Sequence, residues 1–365
     1  MTGARGQYLE QIRRGGVELS PELAGAFAAV PREVFVPDGF QRRDGTWAKP
    51  ADPDFLEIVY SDDVLVTKVD GRTPTSSSSQ PSLMALMILA LRVRAGQRIL
   101  EIGAGTGYNA ALLSSLGAEV TSVDVQPDVA DRARSALARA QIDGVRVEVG
   151  DGYEGFPGVR FDRVIVTVGV AGISPRWVDQ LAPDGLVVAP VEHAGTHPVL
   201  AVRPADGQLT ATVVCPSGFM TAAGPLTAAH PGSFPAPHTA GTLTELTEVA
   251  GPRFEPPLDS LAYRDLWYAA GVWHRRATHG AVPSLKQGCL LLLDEERRGG
   301  AAILPDGRVL AGGPQAAGFA GDAGTILDRW VAAGRPGMRD WRVGLAPAGD
   351  PASPIWVPVS WEPRS

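Results

Sequence analysis

The stretch R-I-L-E-I-G-A-G-T-G-Y, Arg98 to Tyr108, restricts the fold more than any other part of this chain. Its apolar residues Ile99, Leu100 and Ile102 suit a buried parallel strand. Glycines then recur at alternate positions, Gly103, Gly105 and Gly107, where they let the backbone approach a ligand and take positive φ. A helical pattern follows, Tyr108-Asn109-Ala110-Ala111-Leu112-Leu113. Its first N–H groups, unpaired within the helix, would face whatever sits on the loop. Strand, glycine turn and helix make a nucleotide-type site, but the glycines alone do not select the nucleotide.

The flanking sequence shows which sheet carries this loop. An apolar helix, Pro81 to Leu91, precedes it. A strand at 119–123 ending in Asp124, a helix from Pro127 to Ala140 and strands at 145–149 and 163–167 follow. Next come a helix near Pro175–Leu181, a strand from Gly185, and β runs at Val199–Val202 and Leu209–Cys215. Strands alternating with helices predict a doubly wound, Rossmann-like α/β sheet over residues 81–222. Residues 1–80 read as an N-terminal helical segment on the substrate side, with a surface insertion at 41–55. Short strands are expected at Ile58-Val59-Tyr60 and Val64-Leu65-Val66, and a loop rich in helix-capping residues at 73–81. Residues 223–257, rich in Ala, Thr, Pro and Gly, read as a linker. Residues 258–365 read as a smaller C-terminal α+β domain, with a helix opened by Gly321-Asp322 and late strands at Trp341–Leu345 and Ile355–Trp361. Six of the eight tryptophans lie there, as a packed core would require.

Bulk properties narrow the function. A length of 365 residues allows two domains, and the formal charge of −7 argues against a nucleic-acid partner. The longest apolar run, Leu83 to Leu91, is too short to span a bilayer. The N-terminal residues lack a signal-peptide core. Cys215 and Cys289 give neither a disulfide framework nor zinc spacing. His193 and His197 are four apart in a glycine-bearing turn with no third ligand, so no metal is expected. The expected protein is cytoplasmic, with no membrane partner.

Three features identify the ligand. The spacing G-A-G-T-G departs from the dinucleotide G-x-G-x-x-G. Asp124 ends the next strand, where an acid can accept hydrogen bonds from both ribose hydroxyls. Gly150-Asp151-Gly152 ends the strand after that, where a carboxylate can receive an adenine amino group. Together they suit S-adenosyl-L-methionine, with S-adenosyl-L-homocysteine as product. The plainer readings are that Asp124 caps the helix at Pro127 and that Asp151 forms a turn.

Beyond this set, the chain resembles the protein L-isoaspartyl (D-aspartyl) O-methyltransferases from about Ser20 to Ala222. The resemblance rests on V-P-R-E-V-F-V-P at 30–37, Y-S-D-D at 60–63, S-Q-P-S-L-M-A-L-M at 79–87 and L-E-I-G-A-G-T-G-Y-N-A-A at 100–111. It continues in S-V-D at 122–124, G-D-G at 150–152, F-D-R-V-I-V-T at 161–167 and G-F-M at 218–220. It implies a class I methyltransferase fold and a cofactor set of Glu101, Gly103, Ala104, Gly105, Thr106, Gly107, Asn109, Asp124, Val125, Asp151 and Gly152. It also implies a methyl-acceptor site at Ser79, which Ser78 could share, lined by Gln80, Val168, Gly169 and Val170. Helix capping is the plainer role for Ser79. The acceptor would be a carboxylate, already anionic at neutral pH, so no general base is needed. Two departures stand out: T-V-G-V-A-G-I-S-P at 167–175 replaces an alanine- and proline-rich run, and residues 225–365 extend beyond the plain repair enzymes. The extended form looks like the enzymes that tailor ribosomally made peptides. That implies a cyclised precursor peptide as partner, one Asp of which is esterified and then closes to an aspartimide. General isoaspartyl repair is the alternative.

Overall fold

The computed structural model describes residues 4–205, 207–228, 243, 245–280, 282, 285 and 288–364. The chain opens with helices α1 (Ala4–Arg14) and α2 (Pro21–Ala29); Ser20 caps α2 by accepting from Leu23 N at 3.2 Å. The expected insertion forms strands β1 (Phe40–Gln41) and β2 (Trp47–Ala48). After helix α3 (Phe55–Val59) come β3 (Leu65–Asp70) and β4 (Thr73–Ser78), and the four strands make a small sheet in the order β2-β1-β3-β4. Two expectations change here. Residues 58–60 do not form a strand, because Phe55 and Val59, four apart, bury one face of a helical turn. Residues 73–78 are not a loop: they pair antiparallel with β3, and Ser76 and Ser78 alternate inward.

The main sheet begins after helix α4 (Pro81–Leu91). It takes β5 (Arg98–Ile102), α5 (Tyr108–Ser115), β6 (Glu119–Asp124), α6 (Pro127–Arg139), β7 (Val145–Val149), β8 (Phe161–Val166), α7 (Pro175–Asp179), β9 (Leu181–Pro190), β10 (Val199–Ala205) and β11 (Gln208–Cys215). Downstream lie β12 (Thr247–Ala250), α8 (Ser260–Trp273), β13 (Ala277–Gly280), β14 (Cys289–Leu293), β15 (Gly300–Ile303), β16 (Val309–Gly312), α9 (Ala316–Ala332), β17 (Trp341–Ala348) and β18 (Ile355–Pro363). The nine-stranded order is β18-β17-β11-β10-β9-β8-β5-β6-β7, parallel from β7 to β9 and antiparallel beyond. The chain leaves β5 toward β6 and β7, then returns to β8 on the other side. The β5/β8 seam is therefore a topological switch point, where open α/β sheets hold their ligands.

Two cores cover the sheet. One face packs Ile99, Val120, Ile165 and Val188 against α1, α2, α4, α5 and α6. The other packs Leu100, Val164, Val187 and Val202 against α7, α8 and α9 and against Leu290, Leu292, Ala301 and Ile303 of the five-stranded sheet β12-β16-β15-β14-β13. The expected boundary at residue 258 does not divide the main sheet. Strand β17 pairs with β11 and β18 with β17, because Trp341, Val343 and Leu345 alternate inward onto the shared core. Trp330, Trp267 and Trp341 are buried, while Trp273, Trp356 and Trp361 pack half-buried against the same core. Helix α9 starts at Ala316, earlier than Gly321. Of the expected 223–257 linker, residues 229–242 and 244 lie outside the described residues, and Thr247–Ala250 form β12, paired with β16 at the edge of the five-stranded sheet. Among the described residues no helix is long and apolar enough to cross a membrane.

Candidate functional site

The glycine loop leaves β5 at the switch point. Gly103, Gly105 and Gly107 have φ of +95°, +53° and +84°. The contacts are tight as well: a Cβ on Gly103 would lie 2.7 Å from Thr167 Oγ1 of the β8 end, one on Gly105 would lie 3.1 Å from the Ser77 carbonyl, and one on Gly107 would lie 3.3 Å from Ala133 Cβ of α6. The loop is thus clamped between the fourth parallel strand and the serine segment upstream. Asp124 fastens it from β6: one carboxylate oxygen accepts from Gly105 N at 3.1 Å, the other from Gln126 N at 2.9 Å. The second bond is the helix-entry role; the first ties Asp124 to the glycine loop. Burial raises its proton affinity despite these N–H donors. Backbone N–H groups of Gln126, Gly105 and Ala104 do not fill the carboxylate's acceptor positions, of which there are about four, so capacity for ribose hydroxyls remains.

Beneath the loop, Glu101 is fully buried and pushed up to about 7 by desolvation. Asn109 Nδ2 donates to it at 2.7 Å and Ser122 Oγ at 2.5 Å. Glu101 therefore orients Asn109 from below, with both oxygens engaged. The buried Asn109 Oδ1 has no partner among the described residues and is free to accept from a ligand. Ala104 is buried, and Thr106 Oγ1 accepts from Tyr108 N at 3.4 Å. Val125 is 55% exposed beside Asp124. Asp151 is exposed, and one of its oxygens accepts from Tyr153 N at 2.9 Å. Gly152 has Ile102 Cγ2 only 2.7 Å from where its Cβ would be, and its carbonyl accepts from Trp177 Nε1.

The acceptor segment is held by a residue that the sequence showed only inside the V-P-R-E-V-F-V-P motif. Arg32 is fully buried. It donates to the carbonyls of Val59 at 2.8 Å, Ser61 at 3.0 Å, Asp63 at 2.9 Å and Ser79 at 2.9 Å, and its Nε reaches Ser78 Oγ at 3.4 Å. No carboxylate pairs with it among the described residues; its guanidinium lies 5.8 Å from the Tyr108 ring centroid, at the start of α5. One buried cation therefore joins the 59–63 turn, the serine segment and the cofactor helix. Ser78 is buried and Ser79 half-buried. Ser79 does not cap α4. Gln80 holds the cap position without a side-chain bond, and Asp62 supplies the carboxylate to Ser82 N at 2.7 Å while accepting from Gln80 Nε2 at 3.0 Å. Across the glycine loop, Gln126 Nε2 donates to the Thr75 carbonyl and Gln126 Oε1 accepts from Lys68 Nζ, so the β3–β4 hairpin is tied to the start of α6.

The third group is less open than the sequence implied. Val170 is fully buried in the core, so its side chain cannot touch a substrate. Val168 is half-buried and Gly169 is buried, and the His197 ring lies 2.6 Å from a Cβ position on Gly169. His193 and His197 serve different partners. His193 Nε2 meets the Tyr268 carbonyl at 2.9 Å, and burial lowers its pKa to about 4; His197 Nδ1 accepts from Phe219 N.

These residues fit S-adenosyl-L-methionine: positive-φ glycines allow backbone contact, Asp124 has capacity to accept hydroxyls, and Asn109 Oδ1, unpartnered among the described residues, has capacity to accept an amino or ammonium group. The comparisons agree. The profile of the Protein-L-isoaspartate(D-aspartate) O-methyltransferase family matches residues 4–225. A protein-L-isoaspartate O-methyltransferase of Methanoculleus marisnigri is 40% identical over 182 residues, 50% of this chain and 73% of that one. One from Thermotoga maritima is 35% identical over 221 residues, 59% of this chain and 64% of its own. A solved protein-L-isoaspartate O-methyltransferase, 26% identical, superposes with a TM-score of 0.55 over 96% of this chain and 98% of that one. The region after 225, expected to be absent from such enzymes, therefore has a counterpart in a protein of that name. The chain belongs to the protein-L-isoaspartate(D-aspartate) O-methyltransferase family and is an S-adenosyl-L-methionine-dependent carboxyl O-methyltransferase.

Proposed function

We propose that this chain esterifies the free carboxylate of L-isoaspartyl residues in proteins or peptides, as a repair methyltransferase. The carrying observation is the Arg32-held segment Ser78-Ser79-Gln80, whose neighbour Ser77 abuts Gly105 of the cofactor loop. An isoaspartyl carboxylate is anionic at neutral pH, with an ordinary pKa of about 4, so the site needs orientation rather than a base. The Ser79 hydroxyl donates to one carboxylate oxygen, and the α4 N-terminus and the buried Arg32 charge favour the anion. When bound, S-adenosyl-L-methionine supplies an electrophilic methyl group. Ser79 and Gln80 hold the attacking oxygen, and the β3–β4 hairpin keeps water from it. After transfer, the next backbone nitrogen of the substrate attacks the ester, methanol leaves and a succinimide forms. A cytoplasmic setting belongs to the proposal; Cys215 and Cys289 are buried and free, as a reducing compartment allows.

A second reading is esterification of one Asp in a cyclised, ribosomally made peptide, with the aspartimide as product. The departure at 167–175 favours it. The C-terminal region does not, because the solved isoaspartate methyltransferase spans it too. Mass spectrometry after incubation with S-adenosyl-L-methionine separates the readings. Methylation of short isoaspartyl peptides, with their aspartyl twins untouched, supports repair. Inert isoaspartyl peptides beside a methylated cyclised precursor would replace it with tailoring.

A further inference from the structure

On the sheet face beyond α4 lies a cavity of about 270 Å³, remote from the glycine loop. Its wall carries Arg92 at the end of α4, Arg203 on β10, Arg342 on β17 and Arg364 beyond β18, with Thr210 and Thr212 of β11 on the floor. The register explains the gathering. Ala201 pairs with Thr212, Arg203 with Thr210 and Thr212 with Arg342, so these side chains rise from the same sheet face while their neighbours Val202, Ala211 and Val343 bury on the other. Small residues at 201, 210 and 212 leave the hollow, and the arginines ring it.

The charges there are uncompensated. The chain carries more acids than bases, yet Arg92, Arg203 and Arg342 form no side-chain hydrogen bond or ion pair among the described residues. Arg364 gives Nη1 only to the Arg339 carbonyl. Arg163, on β8 beside the cavity, has its guanidinium pKa lowered by burial first and then by Arg203, with Arg94 and Arg92 adding and Asp162 opposing. Glu362 stands opposite Arg342 in the register but makes no ion pair with it. Arg92 has a structural reason of its own, since a cation at a helix C-terminus is favoured by the dipole. No such reason applies to Arg203 and Arg342 on open strands. Planar guanidiniums that fork around hydroxyl-bearing residues are the chemistry of phosphate recognition.

We propose that this cavity binds a multiply charged phosphate anion, the phosphate chain of a nucleotide or an inorganic polyphosphate, at a second site separate from the cofactor loop. This does not depend on which carboxylate the enzyme methylates. The test is calorimetric titration of the full chain with inorganic tripolyphosphate, and separately with ATP, at constant ionic strength and with saturating S-adenosyl-L-homocysteine. The expected result is one saturable site per chain for tripolyphosphate. Arg203→Ala/Arg342→Ala should raise its Kd at least tenfold, leave the S-adenosyl-L-homocysteine Kd unchanged and keep the wild-type urea midpoint. Equal affinity for ATP assigns the phosphate chain alone, and tighter ATP binding assigns a nucleotide. Absence of saturable binding, or equal weakening by the remote pair Arg14→Ala/Arg275→Ala, would overturn the proposal.

Discussion

Replacing Arg32 by methionine keeps the length of the side chain and removes its donors. Four carbonyls, Val59, Ser61, Asp63 and Ser79, lose bonds of 2.8–3.0 Å. Leaving a buried acceptor unmet costs about 1–3 kcal/mol each, so the gross loss is roughly 4–12 kcal/mol. Two terms oppose it. The buried guanidinium has no carboxylate partner, and its removal recovers several kcal/mol of desolvation. The Ser61 and Asp63 carbonyls are also near enough to the surface to recover water. The expected net destabilisation is about 2–4 kcal/mol, read from urea unfolding. The functional effect should exceed the loss of folded protein, because Ser79 moves when its carbonyl is released, and a shift of ~1 Å at a reacting group costs about a hundredfold. Initial rates of methyl transfer to an isoaspartyl peptide, at a temperature where the variant is folded, should fall by about that factor. The Kd for S-adenosyl-L-homocysteine should stay within about threefold, since the glycine loop keeps its Asp124 clamp. A stable variant with unchanged kcat and KM would refute the view that Arg32 sets the acceptor segment.

Other perturbations address separate parts of the site. Asp124→Ala should weaken cofactor binding tenfold or more by calorimetry, because hydrogen bonds to a charged group are worth about 1.5–3 kcal/mol; an unchanged Kd would reduce Asp124 to a helix cap. Gly105→Ala places a Cβ 3.1 Å from the Ser77 carbonyl at a φ of +53°, so cofactor affinity and turnover should fall together, and a normal enzyme would show that the loop adapts freely. Ser79→Ala should slow turnover with little change in cofactor affinity; an unchanged rate would move the orienting role to Ser78. Glu101 has a folded-state pKa raised to about 7 against an ordinary carboxyl near 4.5, so its contribution to stability is present below pH 4.5 and is lost as pH rises through 7. Glu101→Gln should therefore flatten the decline of the urea midpoint over that window, and an identical decline in the variant would assign the titration elsewhere.

The parallel half of the sheet was legible because β5, β8 and β9 carry buried apolar runs, and because α4, α6 and α7 each open on a proline. The glycine loop was legible because positive φ excludes most other residues. Legibility failed where pairing is long-range. Strand β17 carries an alternation that fits any half-buried sheet, and nothing local says that it joins β11, over a hundred residues upstream, with β18 added at its far edge. Thr73–Ser78 looked like a capping loop because serine and threonine suit both loops and strands; only the partner strand β3 decides. Arg32 lay in plain view within a quoted motif, but a buried arginine has no periodicity that separates it from a surface one. Glu101 lies within β5, and its burial, and hence its role in orienting Asn109 from below, depends on α5 folding over it. Val170 followed an analogy of position, and the closing of 169–170 against Thr221 and Val191 turned its side chain into the core.

On the proposed mechanism Ser78-Ser79-Gln80, held by Arg32 beside the glycine loop, seats the methyl-accepting carboxylate. A crystal structure of the chain with S-adenosyl-L-homocysteine and an isoaspartyl peptide tests it most directly. The cofactor product should lie on Gly103–Gly107 with its ribose at Asp124, and the peptide carboxylate within hydrogen-bonding distance of Ser79 Oγ. A carboxylate seated elsewhere, with Ser79 bonded only to protein, would contradict it.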